Sequence, residues 1–490
     1  MNAVRLLEPR ELWKNFHQLT QVPRPSHHEE LIQEYIFNFG KKLGLETIKD
    51  KVGNIIIRKP ASNGWENRRG VVLQSHLDMV PQKNNDKVHD FLNDPIEAYV
   101  DGDWVTANGT TLGADNGIGA AAAMAILASS DIEHGPLEAL FTATEETGLT
   151  GAQGLEAGVL KGGIMLNLDS EEDGELCVGC AGGLDVSVTF NYSEELVPDN
   201  YEAFLLEVSG LKGGHSGMDI ILQRGNSNKL FFRLLQKASE SVDFRLSSVE
   251  GGNMRNAIPR ETLGVLVVEK DLSDRFKTII TEEFEQIKKE IASVDPKAGF
   301  SLTPTAMPTA VIDIKTQNNL INSVVACPNG VVRMSDEIPG LVETSSNMAA
   351  VRSDANNNTV SVLFLMRSSV DSAKYDLFNC VKGLFAGLAG ASVVGHGSYS
   401  GWKPNPKSAI LSVMSKVYES KFGKKPEVKA IHAGLECGII GGTYPELDMI
   451  SFGPTICFPH SPDEKVNIET VKRFWEFLLE TLKNIPLNLK

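Results

Sequence analysis

The chain has 490 residues, 42% hydrophobic and 22% charged. That is the profile of a soluble globular protein too long for one ordinary core, so two domains are expected. A formal net charge of −16, with no run of Lys or Arg interleaved with aromatics, argues against a nucleic-acid partner. The opening residues carry charges every few positions and lack the apolar core of a secretory signal. No stretch reaches the roughly eighteen apolar residues of a membrane span, so the expectation is a cytoplasmic protein with no membrane partner. Six cysteines show no framework spacing, and the lone Cys177/Cys180 CxxC reads as two thiols near a strand in preference to a structural zinc or redox pair.

In chain order, residues 29–43 set Leu31, Ile32, Tyr35, Ile36 and Phe39 on one helical face. VVLQSH (71–76) is an apolar run that turns polar at its end. IGAAAAMAILAS (118–129) reads as a buried helix, and LEALFTA (137–143) and GIMLNLD (163–169) as strands. Strands alternating with helices predict a doubly wound α/β domain with a central, mostly parallel sheet. From about residue 186 the texture changes. DVSVTF, EAFLLEV, LGVLVVE (263–269) and TVSVLFLMR (359–367) accompany helical patterns at 226–241 and 273–292. Apolar/polar alternation in these strands predicts an α+β domain with one solvated sheet face. After about 400 the first texture returns: a helix at 407–422, a strand at 447–453 and a helix at 464–484. The expected organisation is a first domain in two pieces, 1–185 and 399–490, interrupted by an inserted domain, 186–398.

Five segments join Gly to acidic or imidazole groups: SHLDMVP (75–81), GTTLGADNGIG (109–119), TATEETG (142–148), NLDSEEDGE (167–175) and GPTICFPHSPDE (453–464). Singly, each has an ordinary reading as a loop, a turn or a solvated helix face. Jointly they are less ordinary, because three follow apolar runs directly and ligands in open α/β sheets sit beyond the carboxyl ends of strands. His76, Asp115, Glu146, Asp169 and His460 supply three carboxylates and two imidazoles. With Asp115 bridging, each of two divalent cations receives three protein ligands and keeps an open position. Asp78 shares the face of His76 on an extended segment, where its carboxylate can orient the imidazole. Glu145, next to a ligand but facing the other way, is the natural general base. Zinc suits this mixed oxygen and nitrogen set, as do manganese and cobalt.

The strings HLDMVP, GADNGIG, TEETG, NLD and PHSPDE resemble those of the cocatalytic-zinc peptidase family that includes peptidase T, carboxypeptidase G and aminoacylase. VPQKNND (80–86), LKGGHSG (211–217), NAIPRE (256–261) and IHAGLECG (431–438) extend the likeness over nearly the whole chain to its aminoacyl-histidine dipeptidase branch. The resemblance implies hydrolysis of small peptides such as Xaa-His dipeptides, β-alanyl-histidine included, by a metal-bound water. His76 and Asp169 would hold one metal and Glu146 and His460 the other, with Asp115 bridging through a cis Asp115–Asn116 peptide. It further implies that the inserted domain is a lid that also forms a homodimer. There His215 would polarise the scissile carbonyl, Asn256 and Arg367 would contact the substrate backbone and carboxylate, and Gly434 would approach its terminus. His432 and Glu436 read as site-lining or structural. The same machinery also suits a broader dipeptidase, a tripeptidase or an N-acyl amino acid hydrolase. A peptide-binding relative without activity would be favoured by loss of Glu145 or a ligand, and none is lost.

Overall fold

A computed structural model describes residues 3–488. They form two compact units, one made of the chain up to Gly179 with Trp402–Ala430 and everything from Leu435 on, the other of Cys180–Gly401 with Ile431–Gly434. The first break falls at 180 rather than 186 because the strand Gly182–Asn191 runs unbroken through the second unit's sheet. The short return at 431–434 leaves no mark in composition. It is tied in partly by backbone, with the Ala181 N–H donating to the carbonyls of Ile431 and Ala433.

The first unit is built on an eight-stranded sheet in the order Glu46–Lys49, Ile55–Lys59, Leu137–Thr142, Val71–His76, Ile164–Asn167, Asp448–Ser451, Glu175–Cys180, Glu427–Ile431. The four central strands, from Leu137–Thr142 to Asp448–Ser451, are parallel, whereas Glu46–Lys49 with Ile55–Lys59, Ile55–Lys59 with Leu137–Thr142, and Asp448–Ser451 with Glu175–Cys180 pair antiparallel. Strands covered on both faces need apolar residues at every position, which is why VVL, ALF and IML run without alternation and are buried throughout. Parallel strands also finish at one edge of the sheet. His76, Thr142, Asn167 and Ser451 therefore stand in a row, and the polar segments that follow them are delivered to the same place.

Helix Ala114–Ala128 packs on the sheet and on helix Arg10–Leu19, buried from Ala114 to Leu127. Its small side chains permit the close approach. Helix Glu30–Lys42 buries Ile32, Gln33, Ile36 and Gly40, while Leu31 is exposed. The buried stripe follows 32, 36 and 40, and Leu31 lies about 100° away from it around the helix. The last helix starts at Ile468, not 464. Residues Lys465–Asn467 instead form a short strand against Trp104–Ala107, and the Asn467 side chain caps the helix by accepting from the Thr470 N–H.

The second unit contains a nine-stranded sheet, antiparallel in every pairing, that includes Gly182–Asn191, Tyr201–Ser209, Thr262–Glu269, Val342–Asp354 and Thr359–Ser368. Helices Ser227–Ser239, Ser273–Ile291, Ile314–Ala326 and Asp371–Lys382 contribute Phe231, Phe276, Leu320 and Leu377 to a core shared with Val186, Leu206, Leu246 and Phe364 of the strands. Among the described residues no helix is long and apolar enough to cross a membrane.

Candidate metal centre

The ends of the parallel strands bring five side chains of the first unit together. His76 closes Val71–His76, Glu146 follows Leu137–Thr142, Asp169 follows Ile164–Asn167, and His460 lies in the loop after Asp448–Ser451. Asp115 enters from the start of helix Ala114–Ala128, and its peptide bond to Asn116 is cis. The His76 Nε2 lies 3.0 Å from Asp115 Oδ1 and 3.3 Å from Asp169 Oδ1. The His460 Nε2 lies 3.2 Å from Asp115 Oδ2 and 2.9 Å from Glu146 Oε2. Each oxygen of Asp115 thus faces a different imidazole, and each imidazole has one further carboxylate to itself.

This spacing suits cations. Two donors bound about 2.0–2.2 Å from one zinc at a tetrahedral angle stand roughly 3.3–3.6 Å apart. The carboxylate oxygen Glu146 Oε1 is buried with no hydrogen-bond partner, a costly state unless something else binds it. Oxygen and imidazole donors in two overlapping triads fit a pair of divalent metal ions. His76 is buried, whereas the His460 side chain is half exposed, so the His460 side of the group opens to solvent.

The electrostatics carry the strain of like charges packed together. Burial, reinforced by Asp115 and Glu146, raises Asp169 to about 6. Hydrogen bonds to the His460 and His76 imidazoles overcome burial at Asp115 and hold it well below the carboxylate range. The same bonds, from Asp115 and Glu146, raise His460 to about 11. Burial pushes Glu145 well above the usual range, with Asp169, Glu436 and Glu146 adding to it.

Asp78 stands beside His76, with its carboxylate 3.4 Å from His76 Nδ1, while the Asp78 backbone carbonyl is 3.1 Å from the same nitrogen. The carboxylate also accepts the N–H groups of Glu145 at 2.9 Å and Glu146 at 3.3 Å, and the Ser26 hydroxyl at 2.8 Å, contacts the sequence did not announce. It joins the His76 strand end to the turn carrying both glutamates.

The expected substrate contacts gather in the second unit. His215 pairs with Ala257 in a two-stranded ladder, and the Ser216 N–H donates to the Asn256 carbonyl, so His215 and exposed Asn256 are brought side by side from distant parts of the chain. The His215 Nδ1 accepts from the N–H groups of Gly217 and Met218 at 3.2 and 3.1 Å. In the neutral ring this leaves the proton on Nε2, a donor. Burial first, then the Arg367 charge, lowers its pKa, which keeps it neutral. Arg367 is buried, donates to the Tyr399 hydroxyl at 3.1 Å, and leaves Nε without a partner. Gly434 lies against the Tyr399 ring, where an added Cβ would sit 3.1 Å from Cε2. His432, from the same short return segment, bonds the Ser345 hydroxyl at 2.7 Å. Burial and Arg367 drop its pKa to about 3.

Several contributors escaped the sequence reading. Tyr399, which orients Arg367, carried no signal. Glu436, left open between two roles, is buried, accepts from Gln74 Nε2 at 2.6 Å and Thr142 Oγ1 at 2.7 Å, and is raised by burial to about 7. Glu464 and Arg24 sit inside the quoted PHSPDE string and between two prolines of VPRPS, but nothing there showed that both are buried. Burial raises Glu464 to about 7 against the four backbone N–H groups that favour its charged form. A cavity lined by Leu45, Arg58, Val71, Leu137 and Gly162 lies at the opposite ends of the same parallel strands, and takes no part in the site.

Fold and site together define an α/β protein with a carboxylate–imidazole centre shaped for paired divalent cations. The chain belongs to the peptidase family M20/M25/M40, whose pattern matches residues 72–484. It is 47% identical over 486 residues to the cytosol non-specific dipeptidase of Escherichia coli K12, covering 99% of this chain and 100% of that one. The crystal structure of an aminoacylhistidine dipeptidase from Vibrio alginolyticus superposes with a TM-score of 0.95 at 46% identity, covering 99% of both chains. Aminopeptidase PepT of Bacillus cereus, 16% identical with a TM-score of 0.56 over 98% of this chain and 99% of that one, shares the fold.

Proposed function

We propose that this chain is a two-metal dipeptidase whose substrates include Xaa-His dipeptides such as β-alanyl-histidine. The observation that carries the reading is Asp115 shared between two imidazole–carboxylate pairs, His76 with Asp169 and His460 with Glu146. Those five residues would hold the ions, zinc being the best match to the donors and manganese or cobalt also suited. Bound there, two divalent cations supply Lewis acidity toward a carbonyl oxygen and acidify water.

The remaining work falls to the chain. Glu145, raised by burial, takes a proton from the attacking water and returns it to the leaving amine nitrogen. Its neighbour Asp78 fixes the backbone on which Glu145 sits. His215, neutral with its proton on Nε2, donates to the oxygen that becomes negative as the carbonyl carbon turns tetrahedral. Arg367, a buried cation whose Nε has no partner, takes the free carboxylate of the peptide, a bidentate pairing for which guanidinium is shaped. Asn256 and Gly434 complete the contacts. The inserted unit serves as lid and dimerisation domain of a cytoplasmic homodimer.

Breadth is favoured by the Escherichia coli relative, described as non-specific, and a histidine leaving group by the Vibrio relative. Competition among β-Ala-His, Gly-His, Gly-Leu and N-acetyl amino acids, with chelation and metal add-back, tests the proposal. Metal-dependent cleavage of the dipeptides, with N-acetyl amino acids spared, is expected. Turnover indifferent to chelation would sink the two-metal reading, and cleavage confined to N-acetyl amino acids would sink the dipeptidase reading.

A further inference from the structure

The turn that carries Asp115 is held from two sides by buried charges that take no part in the centre itself. Glu464 is 2% exposed. Its Oε2 accepts the N–H groups of Leu112 and Gly113 at 2.7 and 2.9 Å, and its Oε1 those of Ala114 and Asp115 at 2.7 and 3.2 Å. One carboxylate thus satisfies four consecutive donors where the helix begins, a place that favours negative charge. Arg24 is 3% exposed. Its Nη2 donates to the Gly113 carbonyl at 2.5 Å, and its Nη1 to the carbonyls of Leu77 and Asp78 at 2.9 and 3.1 Å. Gly113 and Gly117 leave room for the guanidinium, since a Cβ on either would meet Nη2 at 2.5 or 2.7 Å. Gly113 is also left-handed, with φ 69°, where a side chain would be strained.

The connectivity gives these contacts their meaning. Glu464 is four residues from His460, so its carboxylate ties the His460 segment to the Asp115 turn. Arg24 ties the same turn to the residues directly after His76. Asp115 has one oxygen toward each imidazole, and a small shift of its backbone misplaces both at once. Resting on the reading that Asp115 bridges two cations, we infer that Glu464 and Arg24 are positioning residues: together they lock the His76, Asp115 and His460 segments into the spacing the pair of ions requires.

Glu464→Gln is nearly isosteric but turns one acceptor oxygen into an N–H₂ group facing two backbone donors. Metal affinity is measured by titration calorimetry and chelator competition on purified full-length protein, alongside circular dichroism, melting temperature, and the split of kcat from KM. Glu464→Gln is expected to bind metal 10–100-fold more weakly, the range seen when groups supporting metal ligands are removed. In the same variant kcat falls, is partly restored by excess metal, and KM changes less than threefold. Glu464→Asp, which keeps charge and both acceptors, recovers part of the affinity. Arg24→Lys, which keeps charge but loses the fork, weakens metal binding in the same direction and decides the question if Glu464→Gln does not fold. Glu138→Gln is the control: this carboxylate also accepts two backbone N–H groups, from Lys161 and Gly162, at the far ends of the strands. It should lower the melting temperature and leave metal affinity unchanged. A folded Glu464→Gln or Arg24→Lys with metal affinity within twofold of the parent overturns the inference. A parent protein that binds fewer than two ions overturns the two-metal reading instead, whatever the variants do.

Discussion

The carboxylate of Asp78 accepts the backbone N–H of Glu145 at 2.9 Å while standing 3.4 Å from the His76 ring. A residue two positions from one proposed ligand thereby sets the turn that carries the proposed base and another ligand, Glu146. Asp78→Asn replaces one acceptor oxygen with a donor that opposes these N–H groups. The expected result is a 10–100-fold loss of kcat with weakened metal binding. An Asp78 that only oriented the imidazole would, in contrast, leave the proton acceptor Glu145 undisturbed, so a kcat–pH profile unchanged in the variant sinks the turn-setting role.

Glu145→Ala removes the proton acceptor and none of the five side chains around the centre. Turnover should be abolished while metal analysis still finds two ions per chain. Near-normal activity in this variant would refute the assignment of Glu145 as base.

Protons and metal compete at Asp169 and His460, and two further buried carboxylates, Glu436 and Glu171, feel the same charges. Without metal, burial holds Asp169 at about 6, Glu436 at about 7 and Glu171 at about 8, and its carboxylate neighbours hold His460 at about 11. Unfolded carboxylates titrate near 4 and histidine near 6.5. Between about pH 5 and pH 8 the folded chain therefore binds more protons than the unfolded chain, and its stability falls as pH rises. Chelated protein should melt at progressively lower temperature across that window. Metal-loaded protein should not, because the cations take the place of the protons, and their binding at pH 7 should release protons measurable in buffers of different ionisation enthalpy. A flat melting profile for the chelated protein contradicts the shifts.

His215 and Arg367 should fail in different ways. His215→Ala removes a donor needed only as charge develops on oxygen, so kcat falls about 10²–10³-fold with little change in KM. Arg367→Met removes the partner of the substrate carboxylate. It should raise KM strongly for free dipeptides and hardly at all for the same peptides carrying a C-terminal amide.

Much of this was written into the chain locally. Strings such as VVLQSH, LEALFTA and GIMLNLD announce buried parallel strands because burial on both faces demands apolar residues at every position. The polar groups directly after them announce a site because parallel strands end together. His76, Glu146 and Asp169 were legible on those grounds, Asp115 and His460 through the Gly- and acid-bearing segments that hold them, and so was the alternating texture of the second unit. Local pattern could not show where a polar side chain turns once the chain is folded. Glu464 looked like the end of a loop motif and Arg24 like a charge between prolines, yet each hydrogen-bonds to backbone that is distant in sequence. The backbone offers the same N–H and C=O groups whatever the side chains are, so such partners leave no complementary residue to read. Asp78 likewise accepts two backbone N–H groups, and Arg367 bonds a tyrosine that no local pattern linked to it. The sequence determined the strands, their common edge and the chemical donors. Only the tertiary structure decided which charges hold those donors in place.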